Sequence, residues 1–116
     1  MSPSAIQSDQ LPAPIRTYLA AHAAPDADAA LPLFAADAVV VDQDQTFRGT
    51  DEIRDFLGIA GAQFSYTTEL VGAQRVDDTH WVAINRLEGD FPRGVAELSY
   101  RFTVAGDLIA ELVIAP

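Results

Sequence analysis

The fold is decided by residues 37–56, which read DAVVVDQDQTFRGTDEIRDF. The three valines at residues 39–41 predict a short strand, because β-branched side chains fit the pleated, half-buried surface of a sheet. The strand ends on a carboxylate, Asp42, and a polar turn is predicted over residues 43–45. A carboxylate at the end of an apolar strand is chemically suggestive, although strand ends are also where chains meet water.

A helix is predicted to follow this turn. Thr50 can cap its first turn, and Asp51 and Glu52 suit the positive end of the helix dipole. The apolar stripe of this helix consists of residues at helical spacing: Ile53, Phe56 and Leu57.

Composition narrows the classes of protein to consider. With 116 residues, 49% of them hydrophobic, the chain can form one domain with a substantial core. The net charge of −10 would repel phosphate backbones and anionic membranes, so nucleic acid and membrane surfaces are not expected as partners.

The sequence has no cysteine, which excludes disulfides, thiol catalysis and thiolate metal sites. Residues 1–10 have no basic start or apolar segment, so no secretory signal is expected and a cytoplasmic location is predicted.

Two further helices are predicted upstream. The first opens at Pro12 and Pro14, where proline is tolerated, and has an apolar face formed by Leu11, Ile15, Tyr18, Leu19 and His22. The second has a stripe formed by Ala27, Ala30, Leu31 and Phe34. Pro32 removes a backbone donor there, so this helix is expected to be short, kinked or late in starting. Residues 1–10 are interpreted as a flexible N-terminal lead, and residues 11–116 as a single domain.

Four strands joined by short turns are predicted after the third helix. Their apolar faces alternate through Phe64, Tyr66, Thr68 and Leu70, then Trp81, Ala83, Asn85 and Leu87, then Ala96, Leu98, Tyr100, Phe102 and Val104, and finally Leu108, Ala110, Leu112 and Ile114. Early helices and a late meander predict an α+β fold: a cone-shaped roll of three N-terminal helices packed on a curved, mainly antiparallel β-sheet. A cavity between such layers is a natural site for a small molecule.

The motif F-A-x-D-A-V-x-x-D at residues 34–42, followed by R-G-x-x-x-I at residues 48–53, resembles the nuclear transport factor two-like superfamily. The resemblance is nearest to small bacterial SnoaL-like and ketosteroid isomerase-like members, and it covers residues 11–116 as a single SnoaL-like domain. It implies a cystatin-like fold and a homodimer formed through the open face of the sheet. The activities it implies range from isomerase and cyclase to non-catalytic binding.

Ketosteroid isomerases use a tyrosine on the first helix, an aspartate base at the end of the first strand and a protonated acid on a later strand. I-R-T-Y at residues 15–18 and A-V-V-V-D at residues 38–42 are similar to the first two motifs, which implies Tyr18 and Asp42 as catalytic residues. Leu98 stands at the position of the second acid. An apolar side chain cannot donate a hydrogen bond to an oxyanion, and Tyr100 is a candidate substitute donor.

Each candidate also has a purely structural interpretation. Asp42 could be a solvated strand end, and Tyr18 a core tyrosine whose hydroxyl finds any partner. Trp81 and Asn85 share one face of a strand and could line a pocket, or that face could point outward. The remaining candidate pocket residues are Tyr66, Leu98, Tyr100 and His22, for which core packing or a partly buried histidine is the simpler explanation.

The sequence therefore predicts a protein that binds a small hydrophobic molecule and needs no cofactor or metal. It is interpreted as a ketosteroid isomerase-like isomerase or SnoaL-like cyclase, with Asp42 as general base next to a carbonyl. The alternative is a non-catalytic ligand-binding or dimeric assembly module of the same fold.

Overall fold

The computed structural model describes residues 4–23, 27–42, 45–62, 66–89 and 94–115. Within these ranges, side chains are described except at positions 8, 22, 23, 27, 58–62 and 66–68. Of the turn predicted at residues 43–45, positions 43–44 lie outside the described residues, and Gln45 begins a strand instead. The predicted strand start at Phe64 also lies outside the described residues.

The helices form where their apolar periodicity predicts them. Helix α1 spans Ala13–Ala23, α2 spans Ala27–Ala30 and α3 spans Gly49–Ala62. The first turn of α1 is set by Pro12, whose carbonyl accepts a hydrogen bond from the Arg16 amide at 3.0 Å. The buried residues of α1 and its approach are Leu11, Pro14, Ile15, Tyr18 and Ala21. This face covers one side of the sheet.

The second helix is shorter than its predicted stripe. Helix α2 stops at Ala30 and is followed by a 3-10 turn, Leu31–Leu33, with Pro32 in its first turn. A 3-10 turn tolerates proline near its start, whereas a continued α-helix would lose a backbone hydrogen bond there. Phe34 has extended backbone angles, φ −96° and ψ 140°, and begins a strand. Its assignment to the helical stripe was therefore wrong.

The central motif forms a β-hairpin in addition to the predicted strand and helix. Strand β2 spans Phe34–Asp42 and β3 spans Gln45–Arg48, with Val40 opposite Phe47. Sequence analysis predicted only the end of β2 and placed no strand at β3, since four residues give too short an alternation to detect. Phe47 packs against Phe56 of α3 with ring centroids 5.1 Å apart, which fixes the hairpin to the helix.

The later strands complete a seven-stranded sheet. Their bounds are β1 Ser4–Ala5, β4 Tyr66–Arg75, β5 His80–Gly89, β6 Val95–Ala105 and β7 Leu108–Ala115. The strand order is β1-β4-β5-β6-β7-β2-β3, and β2 with β7 is the parallel pair in an otherwise antiparallel sheet. The predicted α+β fold, helices on a curved and mainly antiparallel sheet, is confirmed.

Two irregularities change which side chains point inward. The register of β4 with β5 shifts between Leu70 and Gly72, and the register of β6 with β7 shifts between Thr103 and Val104. An extra residue in one strand reverses the alternation beyond it. In β7 the buried residue is consequently Ile109, while Leu108 is 38% exposed. The predicted alternation through Leu108 and Ala110 is therefore wrong, because these two residues do not share the buried face of Leu112 and Ile114.

The described part of the N-terminal lead touches the sheet. Ser4 and Ala5 pair with Arg75 and Gln74, and the Ile6 amide donates a hydrogen bond to the Ala73 carbonyl at 3.0 Å. The predicted flexibility of residues 1–10 concerns motion and stays a prediction.

The hairpin between β6 and β7 depends on Gly106. Its φ of +63° is a conformation that L side chains adopt at a cost. We expect Gly106→Ala to lower the free energy of unfolding by about 1–2 kcal/mol, and Gly106→Asn to lower it less because asparagine tolerates positive φ. Urea unfolding measures both values.

Gly72→Ala is the matched control. A Cβ at Gly72 would meet the Ile84 Cδ1 at 3.5 Å, an ordinary contact, so this change should leave stability unaltered or raise it by up to about 1 kcal/mol. Equal losses at Gly72 and Gly106 would contradict the conformational explanation.

Candidate functional site

Asp42 lies on the face of the sheet that the helices cover. Ala38 and Val40 of β2 are both fully buried, and Asp42 follows at the same parity. Asp42 is half-buried and stands opposite Ile114 of β7 in the parallel ladder. The carboxylate thus lies at the inner end of a buried strand face, with an apolar residue beside it.

Burial changes the acid–base behaviour of Asp42. Removal from water disfavours the charged form, so the pKa of the Asp42 carboxyl is raised above its ordinary value of 3.8. A carboxylate with a raised pKa is a better proton acceptor than an exposed one. The side chain can therefore take a proton from a molecule bound against the inner face.

Tyr18 is held in the core by two aromatic rings. It is 1% exposed and meets Phe34 at 5.7 Å and Phe102 at 5.6 Å between ring centroids, both in edge-on geometry. Such pairs fix the orientation of a ring. Phe34 and Phe102 position the Tyr18 ring. The sequence identified neither as a site residue, since Phe34 was predicted in a helical stripe and Phe102 only on the alternating apolar face of a strand.

The candidate residues fall into rows across the inner face. The Asp42 row runs through Asp42, Ile114, Tyr100 and Ala83 on β2, β7, β6 and β5. Neighbouring strands are about 4.8 Å apart, so Asp42 and Tyr100 stand roughly 10 Å apart at the backbone. Tyr100 is buried, at 2% exposure.

The Asn85 row lies two residues further along the strands. It contains Leu98, Asn85 and Leu70 on β6, β5 and β4. Asn85 is 1% exposed, and its Nδ2 is buried without a hydrogen-bond partner. Leaving a buried amide donor unpaired costs about 1–3 kcal/mol, so this group is a polar anomaly in an apolar layer. The inward orientation predicted as one alternative for Asn85 is what the structure has.

Trp81 lies at the other end of the same strand face. It is half-buried and stands opposite Phe102, the residue that contacts Tyr18. Trp81 and Phe102 also border a hollow of about 610 Å³ whose other walls include Val82 and Ile84 of the opposite face. Trp81 therefore borders both sides of the sheet.

Two predicted pocket residues have no described side chain. His22 lies in α1 and Tyr66 begins β4, but their side chains are outside the described set. Their roles stay predictions.

Other polar clusters are accounted for by local structure. Asp77 Oδ1 accepts hydrogen bonds from the Thr79 and His80 amides at 2.9 Å, and His80 Nδ1 lies 2.8 Å away. Hydrogen bonding from the Thr79 backbone and then from His80 lowers the pKa of Asp77 to about 2. The cluster shapes an exposed turn.

Among the described side chains, no three histidines or acids are grouped to hold a metal ion. None of the helices in the described ranges is long and apolar enough to cross a membrane.

The raised pKa of Asp42 predicts a stability effect. The folded chain holds the Asp42 proton more tightly than the unfolded chain, so ionised Asp42 costs stability above the folded-state pKa. Asp42→Asn should raise the free energy of unfolding at pH 7, and the gain should vanish as the pH falls below about 3.8. Asp37→Asn, an exposed position on the same strand, is the control. Urea unfolding from pH 3 to pH 7 checks this; a gain at Asp42 that does not depend on pH would contradict it.

Comparison with known proteins identifies the family to which the fold belongs. Residues 15–112 match the SnoaL-like domain family, and no curated protein matches the chain. A candidate polyketide cyclase from Sinorhizobium meliloti is 32% identical, with a TM-score of 0.87 over 95% of this chain and 100% of that one.

More distant structures share the fold. A protein with a ketosteroid isomerase-like fold from Catenulispora acidiphila, solved with trimethylamine, is 18% identical, with a TM-score of 0.79 over 92% of this chain and 87% of that one. An NTF2-like protein of unknown function from Cytophaga hutchinsonii is 9% identical, with a TM-score of 0.70 over 95% and 89%. The resemblance inferred from residues 34–53 is confirmed. Because the family match spans residues 15–112 of 116, the chain belongs to the SnoaL-like domain family.

Proposed function

We propose that this protein binds a small hydrophobic molecule and acts on it as a cofactor-independent isomerase or cyclase, with Asp42 as the general base. The observation that carries the proposal is the half-buried Asp42 carboxyl on the inner face, whose pKa burial raises. The similarity to a candidate polyketide cyclase supports the same class of chemistry. A base in an apolar layer suits proton removal next to a carbonyl.

The chemistry follows from the two proposed catalytic residues. The Asp42 carboxylate accepts a proton from the carbon next to the carbonyl, and the C–H electron pair forms an enolate. The Tyr18 hydroxyl donates a hydrogen bond to the oxygen as it becomes negative. For an isomerisation, the enolate of a substrate with a neighbouring C=C bond takes the proton back from Asp42 at the far carbon, and the double bond moves. For a cyclisation, the enolate carbon attacks a second carbonyl of the same molecule, a carbon–carbon bond forms as the π bond of that carbonyl breaks, and the resulting alkoxide takes the proton from Asp42.

A second candidate function is non-catalytic binding or assembly. Leu98, in the Asn85 row, is apolar and half-buried at the position where the resemblance implies a second acid. Without a donor there, an enolate would be stabilised less. This observation favours a binding module that keeps the fold without the turnover.

Hydrogen–deuterium exchange separates these two functions. The probe is 2-tetralone, a bicyclic ketone with acidic hydrogens next to its carbonyl, incubated in D2O and followed by proton NMR. We expect the wild-type protein to accelerate exchange, Asp42→Asn to reduce that acceleration by about 100-fold, and Tyr18→Phe to reduce it by a comparable factor.

Asp37→Asn is the matched control for this experiment, since it removes an exposed carboxylate from the same strand. It should leave exchange unchanged. Binding of the ketone without accelerated exchange would support the non-catalytic function, and exchange that survives Asp42→Asn would show that Asp42 is not the base.

We further propose a homodimer formed through the outer face of the sheet, in the cytoplasm of a bacterium. The hollow of about 610 Å³ on that face combines apolar and polar side chains, among them Ile84, Val113 and Arg101. Such mixtures are typical of wet protein interfaces. A chain without cysteines is also typical of a reducing compartment.

Light scattering after gel filtration tests the dimer. We expect the wild-type protein to elute as a dimer and Ile84→Glu to elute as a monomer, because the new charge would be buried between copies. Leu108→Glu, at an exposed apolar position of the β6–β7 hairpin, should stay dimeric. A monomeric wild-type protein at micromolar concentration would contradict the proposal.

A further inference from the structure

The least explained polar group in the described structure is the side-chain amide of Asn85. It belongs to β5, in the middle of the sheet, and its Nδ2 is buried without a partner. Most buried polar groups in folded proteins are hydrogen-bonded, so an exception calls for a physical reason. A residue that packs equally well without the amide, such as leucine, would avoid the cost.

The described neighbours of Asn85 supply no structural reason for the unpaired amide. Its cross-strand neighbours are Leu70 on β4 and Leu98 on β6, both half-buried, and the next inward residues on its own strand are Ala83 and Leu87. All four side chains are apolar. A polar donor among these four residues is the arrangement of a site that binds an apolar molecule with one oriented polar contact.

Space for a ligand adjoins this position. Leu70, directly opposite Asn85, lines a cleft of about 330 Å³ together with Leu11 and Leu19 and the charged Asp9 and Arg16. A second cleft of about 200 Å³ reaches Leu70 from the side of Ile6 and Ala73. Leu70 therefore borders both clefts and is the cross-strand neighbour of the buried amide.

We propose that Asn85 is the specificity-determining residue of the binding site: its Nδ2 donates a hydrogen bond to an acceptor oxygen of an otherwise apolar ligand. The ligand class is an apolar molecule carrying a ketone or similar carbonyl. The inference rests on the proposed ligand-binding function and extends it. A bound carbonyl oxygen next to Asn85 would accept the hydrogen bond that Nδ2 otherwise lacks.

The test uses a matched pair of probes, 2-tetralone and tetralin, which share a ring skeleton and differ in the carbonyl. Affinities are measured by fluorescence competition for the wild type and Asn85→Leu. We expect the wild type to bind the ketone about 10- to 100-fold more tightly than the hydrocarbon. Asn85→Leu should lose that preference while keeping its affinity for tetralin.

Stability gives an independent readout. If the amide serves a ligand, Asn85→Leu should raise the urea midpoint of the ligand-free protein, because a buried unpaired donor is replaced by an apolar group of similar shape. A structural asparagine would behave in the opposite way. Should leucine not fit, Asn85→Ala provides the same comparison of the two probes, and Leu70→Ala should speed binding of both.

The outcomes separate this inference from the proposed catalysis. Loss of ketone preference in Asn85→Leu, with binding retained in Asp42→Asn, supports the assignment even where no exchange is catalysed. An unchanged ketone preference in Asn85→Leu overturns it, as does a wild type that binds neither probe or both equally. In those cases, exchange that depends on Asp42 would still support the proposed chemistry.

Discussion

The parallel pairing of β2 with β7 is the constraint on which the rest of the molecule depends. It joins the motif at residues 34–42 to the end of the chain, and it sets Val40 against Leu112 and Asp42 against Ile114. A shift of this register by one residue would turn Val40 outward together with Asp42. The buried valine and leucine therefore hold the carboxylate on the inner face, although they have no chemical role themselves.

The described part of the inner face includes two polar groups, Asp42 and Asn85, that packing alone does not require. Burial disfavours the charged form of Asp42, and the Asn85 amide has no partner. Both groups lower stability in the ligand-free protein, and both point into the layer that the helices cover. Such local conflicts with good packing are typical of functional sites. The stability that offsets them comes from apolar neighbours such as Ile15, Ile53 and Phe102, which are almost completely buried.

The sequence predicted the local structure well where a single hydrophobic periodicity ran through a whole element. The alternation in β5 and β6 predicted which residues share a face, and the face that contains Ala83, Tyr100 and Phe102 is the buried one. It failed at Phe34, where Pro32 ended a helix earlier than the apolar spacing suggested, and at Ile109, where a register shift reversed the alternation. Pro32 signalled a short or kinked helix without fixing where the strand begins, and the register shift leaves no local sequence signal.

The sequence predicted which residues are candidates for the site but not how their side chains are arranged. A run of valines does not reveal which face of a strand is inward, so the orientation of Asp42 depended on pairing with β3 and β7. Whether Asn85 has a partner depends on residues from β4 and β6 that are distant in sequence. The aromatic contacts of Tyr18 with Phe34 and Phe102 likewise join three separate elements.

The two edges of the sheet have a consequence for how copies of the chain can meet. In the described residues the outer strands β1 and β3 have two and four residues, and β1 covers only Arg75 and Gln74 at one end of β4, whose register with β5 shifts between Leu70 and Gly72. Short edge strands and bulges present few aligned backbone groups to another chain. Continuous growth of the sheet from copy to copy is therefore hindered at β1, at β3 and at the shift in β4. With a net charge of −10, a protein so rich in strands is expected to remain dispersed at high concentration rather than assemble into fibres.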